Sequence, residues 1–219
     1  DVSIGLTGLP VMENDEMRSG QTSMTWATIL SLIGVSCLFV AGFGGIRHAL
    51  LASFVLLVAM VWSFGYVTLS VGHLNIISVA FTVTLIGIGI DYGIHYIARY
   101  MQLRGEARNC DEAIIGAASA IGPAIVTGAV TTSIAFFAAS LTKFTGVAEM
   151  GVIAGGGILL CALATLTVLP AMVATVDRGR INWNRTEPVA VHRWVEPILR
   201  FPKIVLGGGL AFTLLVSLG

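Results

Sequence analysis

Three residues able to handle protons fall in the middle of an apolar run: Asp91, Tyr92 and His95, within Leu85–His95. Asp91 and His95 are four residues apart, so on a helix they share one face, while Tyr92 adds a hydroxyl about 100° around the axis. Burial at low dielectric disfavours a charged carboxylate and raises its pKa, which lets an aspartate load and release protons near neutral pH. A histidine titrates in that range unaided. The chemistry indicated is proton handling, with Asp91, Tyr92 and His95 as the group. The competing reading of Asp91 is a helix–helix hydrogen bond that moves no proton. For His95 it is a satisfied or interfacial histidine.

The surrounding glycines have a packing explanation. Gly89 and Gly93 form a small-xxx-small pair that admits a neighbouring helix, and Gly87 removes bulk one turn before Asp91. Gly151 and Gly155, followed by Gly156 and Gly157, repeat the device later in the chain. Gly87-x-Gly89 is not a nucleotide loop, because the third glycine and the strand-to-helix context are missing. No second His or Cys lies at helical spacing from Asp91 and His95, so no metal site is expected. No nucleophile–base pair sits at a workable spacing either, so the expectation is a protein that is not an enzyme. No cofactor is expected beyond the proton itself.

A membrane must hold these residues in place. The 219 residues are 56% hydrophobic and 11% charged, with mean hydropathy +0.90. A soluble domain carries about 25% charged residues, so this composition indicates an integral membrane protein. Net charge is zero and no basic patch offers a nucleic-acid surface. The three cysteines (Cys37, Cys110 and Cys161) give no disulfide pattern. Apolar runs long enough to cross as helices lie at about 24–45, 49–70, 76–98, 119–140 and 149–172, and a sixth begins near 203. They are too long for barrel strands. The fold class is all-α, a transmembrane helical bundle. Val71 to Asn75 reads as a tight turn between the second and third runs, with His73 and Asn75 as turn residues.

Arginine and lysine orient the bundle. Arg47, Arg99, Arg104, Arg108, Arg178, Arg180, Arg185, Arg193, Arg200 and Lys203 fall on one side, and only Arg18 and Lys143 on the other. The positive-inside rule makes the first side cytoplasmic and puts the N-terminal segment outside, in a periplasm where there is one. Asp91 is fifteen residues from Ile76 and eight from Arg99, hence about 22 Å and 12 Å along a helix at 1.5 Å per residue. A charge at that depth costs at least about 2.5–3.5 kcal/mol and is expected to face the bundle interior or a wet cavity. Asn109 to Glu112 reads as a capped start of a short cytoplasmic helix leading to the fourth run, with Pro123 in that run's first turns. Thr127 and Thr131 are one turn apart there, a spacing at which hydroxyls commonly bond back to the helix. The polar stretch from Asp177, with Trp183 and Trp194, reads as an interfacial linker. The chain has no initiator Met and its last apolar run continues to Gly219, so a larger parent protein is expected.

Gly87 to Gly93, followed by Arg99-Tyr100, resembles the fourth transmembrane helix of the resistance-nodulation-division (RND) superfamily, above all its MMPL-type lipid exporters. Gly122-Pro123-Ala124 with Thr127 to Thr131 is similar to that family's fifth helix, and Leu169-Pro170-Ala171 to the end of its sixth. Gly8 to Met12 is similar to the return from the periplasmic porter domain, and Val71 to Asn75 is most like the hopanoid-transport branch. The resemblance implies a twelve-helix protein of two repeats. It divides this chain into the end of a porter domain and lead-in (1–23), helices two to six (24–176), a cytoplasmic linker with an interfacial helix (177–202) and the start of helix seven (203–219). It also implies proton-gradient-driven export of a lipid or other hydrophobic molecule across or from the bacterial inner membrane. Asp91 then matches the relay acid, Tyr92 the tyrosine beside it, and Thr127 a small hydroxyl residue packed against them. His95 and Thr131 join the relay on spacing alone. The partners implied are the porter domains and second repeat of the same protein, with a homo-oligomer left open. Tyr92 stands where the multidrug branch has a second acid, which points away from that branch. Two further readings compete: a sterol-sensing-type lipid-binding domain without proton-coupled transport, and an accessory subunit of a protein translocase.

Overall fold

The computed structural model describes residues 9–43, 46–72, 76–106 and 109–178, together with Gly207 and Thr213. The chain divides into two units, 1–185 and 186–219. In the second unit only Gly207 and Thr213 are described, both in helical conformation. The linker tryptophans, the His73–Asn75 turn, the first eight residues and the start of a next helix therefore lie outside the described residues.

Among the described residues the first unit forms five helices: α1 (Leu9–Phe43), α2 (Ile46–Ser70), α3 (Ile76–Gly105), α4 (Cys110–Ala139) and α5 (Thr145–Asp177). No strand occurs among the described residues. α2, α4 and α5, and Thr22–Val40 within α1, are each long and apolar enough to cross a membrane. The chain is a multi-pass membrane protein of helical-bundle class. Crossing requires about 20 residues, so helices of 25 to 35 residues reach well past the hydrocarbon on at least one side.

Local chemistry sets the boundaries. Val71 and Gly72 both donate to the Val67 carbonyl, and Gly72 has φ +80°, a left-handed turn that any Cβ would strain, so α2 stops there. Asn109 caps α4, its Oδ1 accepting from the Glu112 amide at 2.8 Å, with Asp111 and Glu112 in the first turn. The expected short helix before the fourth span is not separate. Between Glu112 and Gly122 no proline interrupts the helix, and Gly116 and Pro123 are both absorbed inside one continuous helix from Cys110 to Ala139.

α5 occupies the centre, packed on α2, α3 and α4, while α1 flanks α2 and α3. Its buried stripe is rich in small residues (Gly151, Ala154, Gly155, Gly156, Gly157, Ala162 and Ala164), interspersed with Ile153, Ile158, Leu169 and Val173. Water drives no burial between helices inside a bilayer, so contact depends on van der Waals fit, and small residues let backbones close up. A Cβ at Gly151 would stand 2.5 Å from the Phe136 carbonyl oxygen, and one at Gly155 2.8 Å from the Phe137 ring. Ser133 of α4 seals this contact by donating to the Gly155 carbonyl at 2.7 Å. Elsewhere Tyr96 of α3 donates to the Ile114 carbonyl of α4 at 3.1 Å, and Ser36 of α1 meets Ser53 of α2 at 2.9 Å.

Candidate functional site

α3 has two contrasting faces around Asp91. On one, a Cβ at Gly89 would lie 2.9 Å from Leu56 Cδ1 of α2 and 3.0 Å from Cys161 Sγ of α5, and one at Gly93 3.5 Å from Ala52. That face is closed by α2 and α5. Gly87, Asp91 and His95, successive turns of the other face, are all exposed. A Cβ at Gly87 would meet nothing within 4 Å, so this glycine packs against no described neighbour.

Depth requires Asp91 to face the bundle interior or a wet cavity. Within α1–α5 it lies on the outer surface of α3, because the glycine pair two residues away takes the inner position. Tyr92, between the two faces, is half-buried against the core. Thr127 and Thr131 are exposed on α4, and Thr131 donates to the Thr127 carbonyl at 2.8 Å and the Gly128 carbonyl at 3.1 Å. Its proton is thus committed to its own helix, while its oxygen can still accept. No hydrogen bond joins Asp91 to Tyr92, His95, Thr127 or Thr131. Among the described residues no cluster of His, Cys, Asp or Glu could hold a metal ion.

A second polar site, not anticipated from the sequence, closes the arginine-rich end of the bundle. Asp177, the last residue of α5, is completely buried. Its Oδ2 accepts from His48 Nε2 at 2.9 Å and from the Tyr100 hydroxyl at 3.0 Å, and its Oδ1 lies 2.7 Å from Arg47 Nη2. Because a carboxylate only accepts, His48 must carry its proton on Nε2. Arg47 also donates to the Val176 carbonyl, capping the open end of α5. Tyr100 reaches on to Cys110 Sγ at 3.6 Å, and Arg178 pairs with Asp111 at 3.1 Å on the surface. The N-termini of α2 and α4 and the C-termini of α3 and α5 thus meet at two consecutive residues, which fixes the helices as antiparallel neighbours.

The missed signal was electrostatic. Cations at a helix N-terminus and an anion at a C-terminus both oppose the helix dipole. Arg47 and His48 open α2, and Asp177 ends α5. Each is unfavourable alone, and together they satisfy one another.

The sequence profile of the MMPL family matches residues 1–205. The hopanoid transporter HpnN of Burkholderia multivorans is 32% identical over 170 residues, which is 78% of this chain and 19% of that protein. A membrane protein of Methanocaldococcus jannaschii is 30% identical over 179 residues, 81% of this chain and 46% of its own length. The sulfolipid-1 exporter MmpL8 of Mycobacterium tuberculosis is 29% identical over 99 residues, 45% of this chain and 9% of that protein. The chain therefore spans about a fifth of the first relative and under half of the second. With a match along nearly its whole length, this chain belongs to the MMPL family of RND-type membrane proteins.

Proposed function

We propose that these helices form the first-repeat membrane part of a proton-gradient-driven exporter of lipids or other hydrophobic molecules, with Asp91 as the proton carrier. The observation that carries the reading is the division of α3: Gly89 and Gly93 are packed inward, while Asp91 and His95 stand one turn apart on the open face. A carboxylate left against lipid at that depth would cost at least about 2.5–3.5 kcal/mol, so the open face requires protein or a wet path over it. A second repeat packed on α3 and α4 supplies both, and brings Thr127 and Thr131 into the same polar seam. Family membership and the names of the relatives, a hopanoid transporter and a sulfolipid exporter, support a lipid substrate. The same reading sets the arginine-rich end in the cytoplasm of a bacterial cell and the start of α1 outside it.

The test uses the full-length protein that contains this chain, expressed in cells whose hopanoid or other lipid export is followed. Asp91→Asn keeps size and polarity and removes the titratable group. The expected result is normal insertion with export abolished, and export by the wild type stopped by a protonophore. Normal export by the Asn variant under a full proton gradient would overturn the mechanism. Lipid binding indifferent to both treatments would favour a lipid-sensing domain instead.

A further inference from the structure

We propose that Asp177 is a positioning residue: with Arg47, His48 and Tyr100 it forms a clasp that fixes the depth and rotation of α3, and so the placement of Asp91. The proposal rests on the reading of Asp91 as proton carrier.

Two observations argue for positioning over proton conduction. Tyr100 follows Asp91 by nine residues, two and a half helical turns, which puts the two on opposite faces of α3. Asp91 is exposed and Tyr100 is completely buried, so the clasp grips the inner face while the relay acid occupies the outer one. The clasp also has no slack. Both donors to Oδ2 come from different helices, His48 from α2 and Tyr100 from α3, and Arg47 holds Oδ1. Any axial slide or rotation of α3 against α5 breaks the Tyr100 bond first. The His48 and Tyr100 ring centroids are 6.1 Å apart, and both side chains bond the same carboxylate oxygen. Two charged pairs are formed among the described residues at this end: Arg178 with Asp111 on the surface, and Arg47 with Asp177 itself. A protein moving α3 as a rigid unit needs such a grip at one end, since small-residue packing against Ala52, Leu56 and Cys161 resists separation and not sliding.

Cys110 provides a built-in reporter. It is buried behind the Tyr100 hydroxyl, so its thiol becomes reactive only when that corner opens. The full-length protein in nanodiscs is treated with a maleimide, and modification of the Cys110 peptide is timed by mass spectrometry, alongside lipid export by the same variants in cells. Asp177→Asn and His48→Leu are expected to raise the labelling rate about tenfold, the change in open population that loss of one charge-assisted buried hydrogen bond produces. Their maximal export rate falls, with the lipid concentration for half-maximal export unchanged. His48→Gln, whose amide replaces the Nε2 donor, keeps both protection and export. Asp91→Asn abolishes export and leaves Cys110 protected.

Unchanged Cys110 labelling in folded Asp177→Asn and His48→Leu would overturn the clasp. So would loss of export by His48→Gln with Cys110 still protected, because that result assigns His48 a titrating role. An Asp91→Asn variant that exports normally removes Asp91 as carrier, while the labelling result still decides whether the clasp exists.

Discussion

The chain holds two aspartates in opposite circumstances. Asp177 is sealed at the end of α5 with three groups from α2 and α3 around it, and its charge is spent on holding helices together. Asp91 stands on the open face of α3 with no hydrogen bond or ion pair among the described residues. A carboxylate already locked to donors is a poor proton carrier, since releasing it means breaking the structure. An uncommitted one on an open face has no such tie to break. On the proposed mechanism, the difference separates an architectural acid from a working one.

Stability measurements should split the pair most sharply. Asp177→Ala leaves a buried histidine, a buried tyrosine and a partly exposed arginine without their acceptor, and removal of one partner from a buried ion pair costs about 3–5 kcal/mol. Reversible unfolding of the full-length protein in detergent should register that loss, whereas Asp91→Asn should stay within about 0.5 kcal/mol of wild type. Equal losses would erase the distinction. The glycines give a second, smaller contrast along the same lines. Gly151→Ala drives a methyl into the rigid Phe136–Ser140 backbone and should destabilise by about 1–3 kcal/mol. Gly87→Ala meets nothing within 4 Å and should leave unfolding unchanged. If the Asp91 face is covered by a second repeat, Gly87→Ala should nevertheless slow export, and a variant with full export would place that face in open lipid. The smallest effect belongs to the surface pair: Arg178→Ala should cost no more than about 0.2–1 kcal/mol, since both Arg178 and Asp111 are exposed.

Much of the bundle was legible in the residues. Apolar run length and the placement of Gly72 and Asn109 gave helix positions, because both depend on local chemistry. Glycine spacing gave close helix approach, and at Gly89, Gly93, Gly151 and Gly155 the structure finds neighbours within van der Waals reach. Direction was harder. Depth argues that Asp91 must avoid lipid by facing the bundle interior or a wet cavity, and within α1–α5 it is exposed on the outer face. Which face of α3 is inner is decided by α2 and α5 competing for the Gly89–Gly93 groove, a tertiary fact. The clasp was hidden for a related reason. Asp177 adjoins a run of arginines and polar residues that looks like an ordinary linker, and its partners are far off in sequence: His48 lies 129 residues away, with Arg47 next to it, and Tyr100 lies 77 away. Only the unfavourable signs of charge at two helix ends announced it.

The central claim is that Asp91 couples proton movement to lipid movement. Its most direct test is proton flux in proteoliposomes holding the full-length protein, with a pH gradient imposed and a hopanoid supplied as substrate. The account predicts that substrate starts a proton leak through the wild type, measured by a lumenal pH dye, and that Asp91→Asn shows none while Asp177→Asn retains a reduced one. A substrate-dependent proton flux through Asp91→Asn equal to wild type would contradict it.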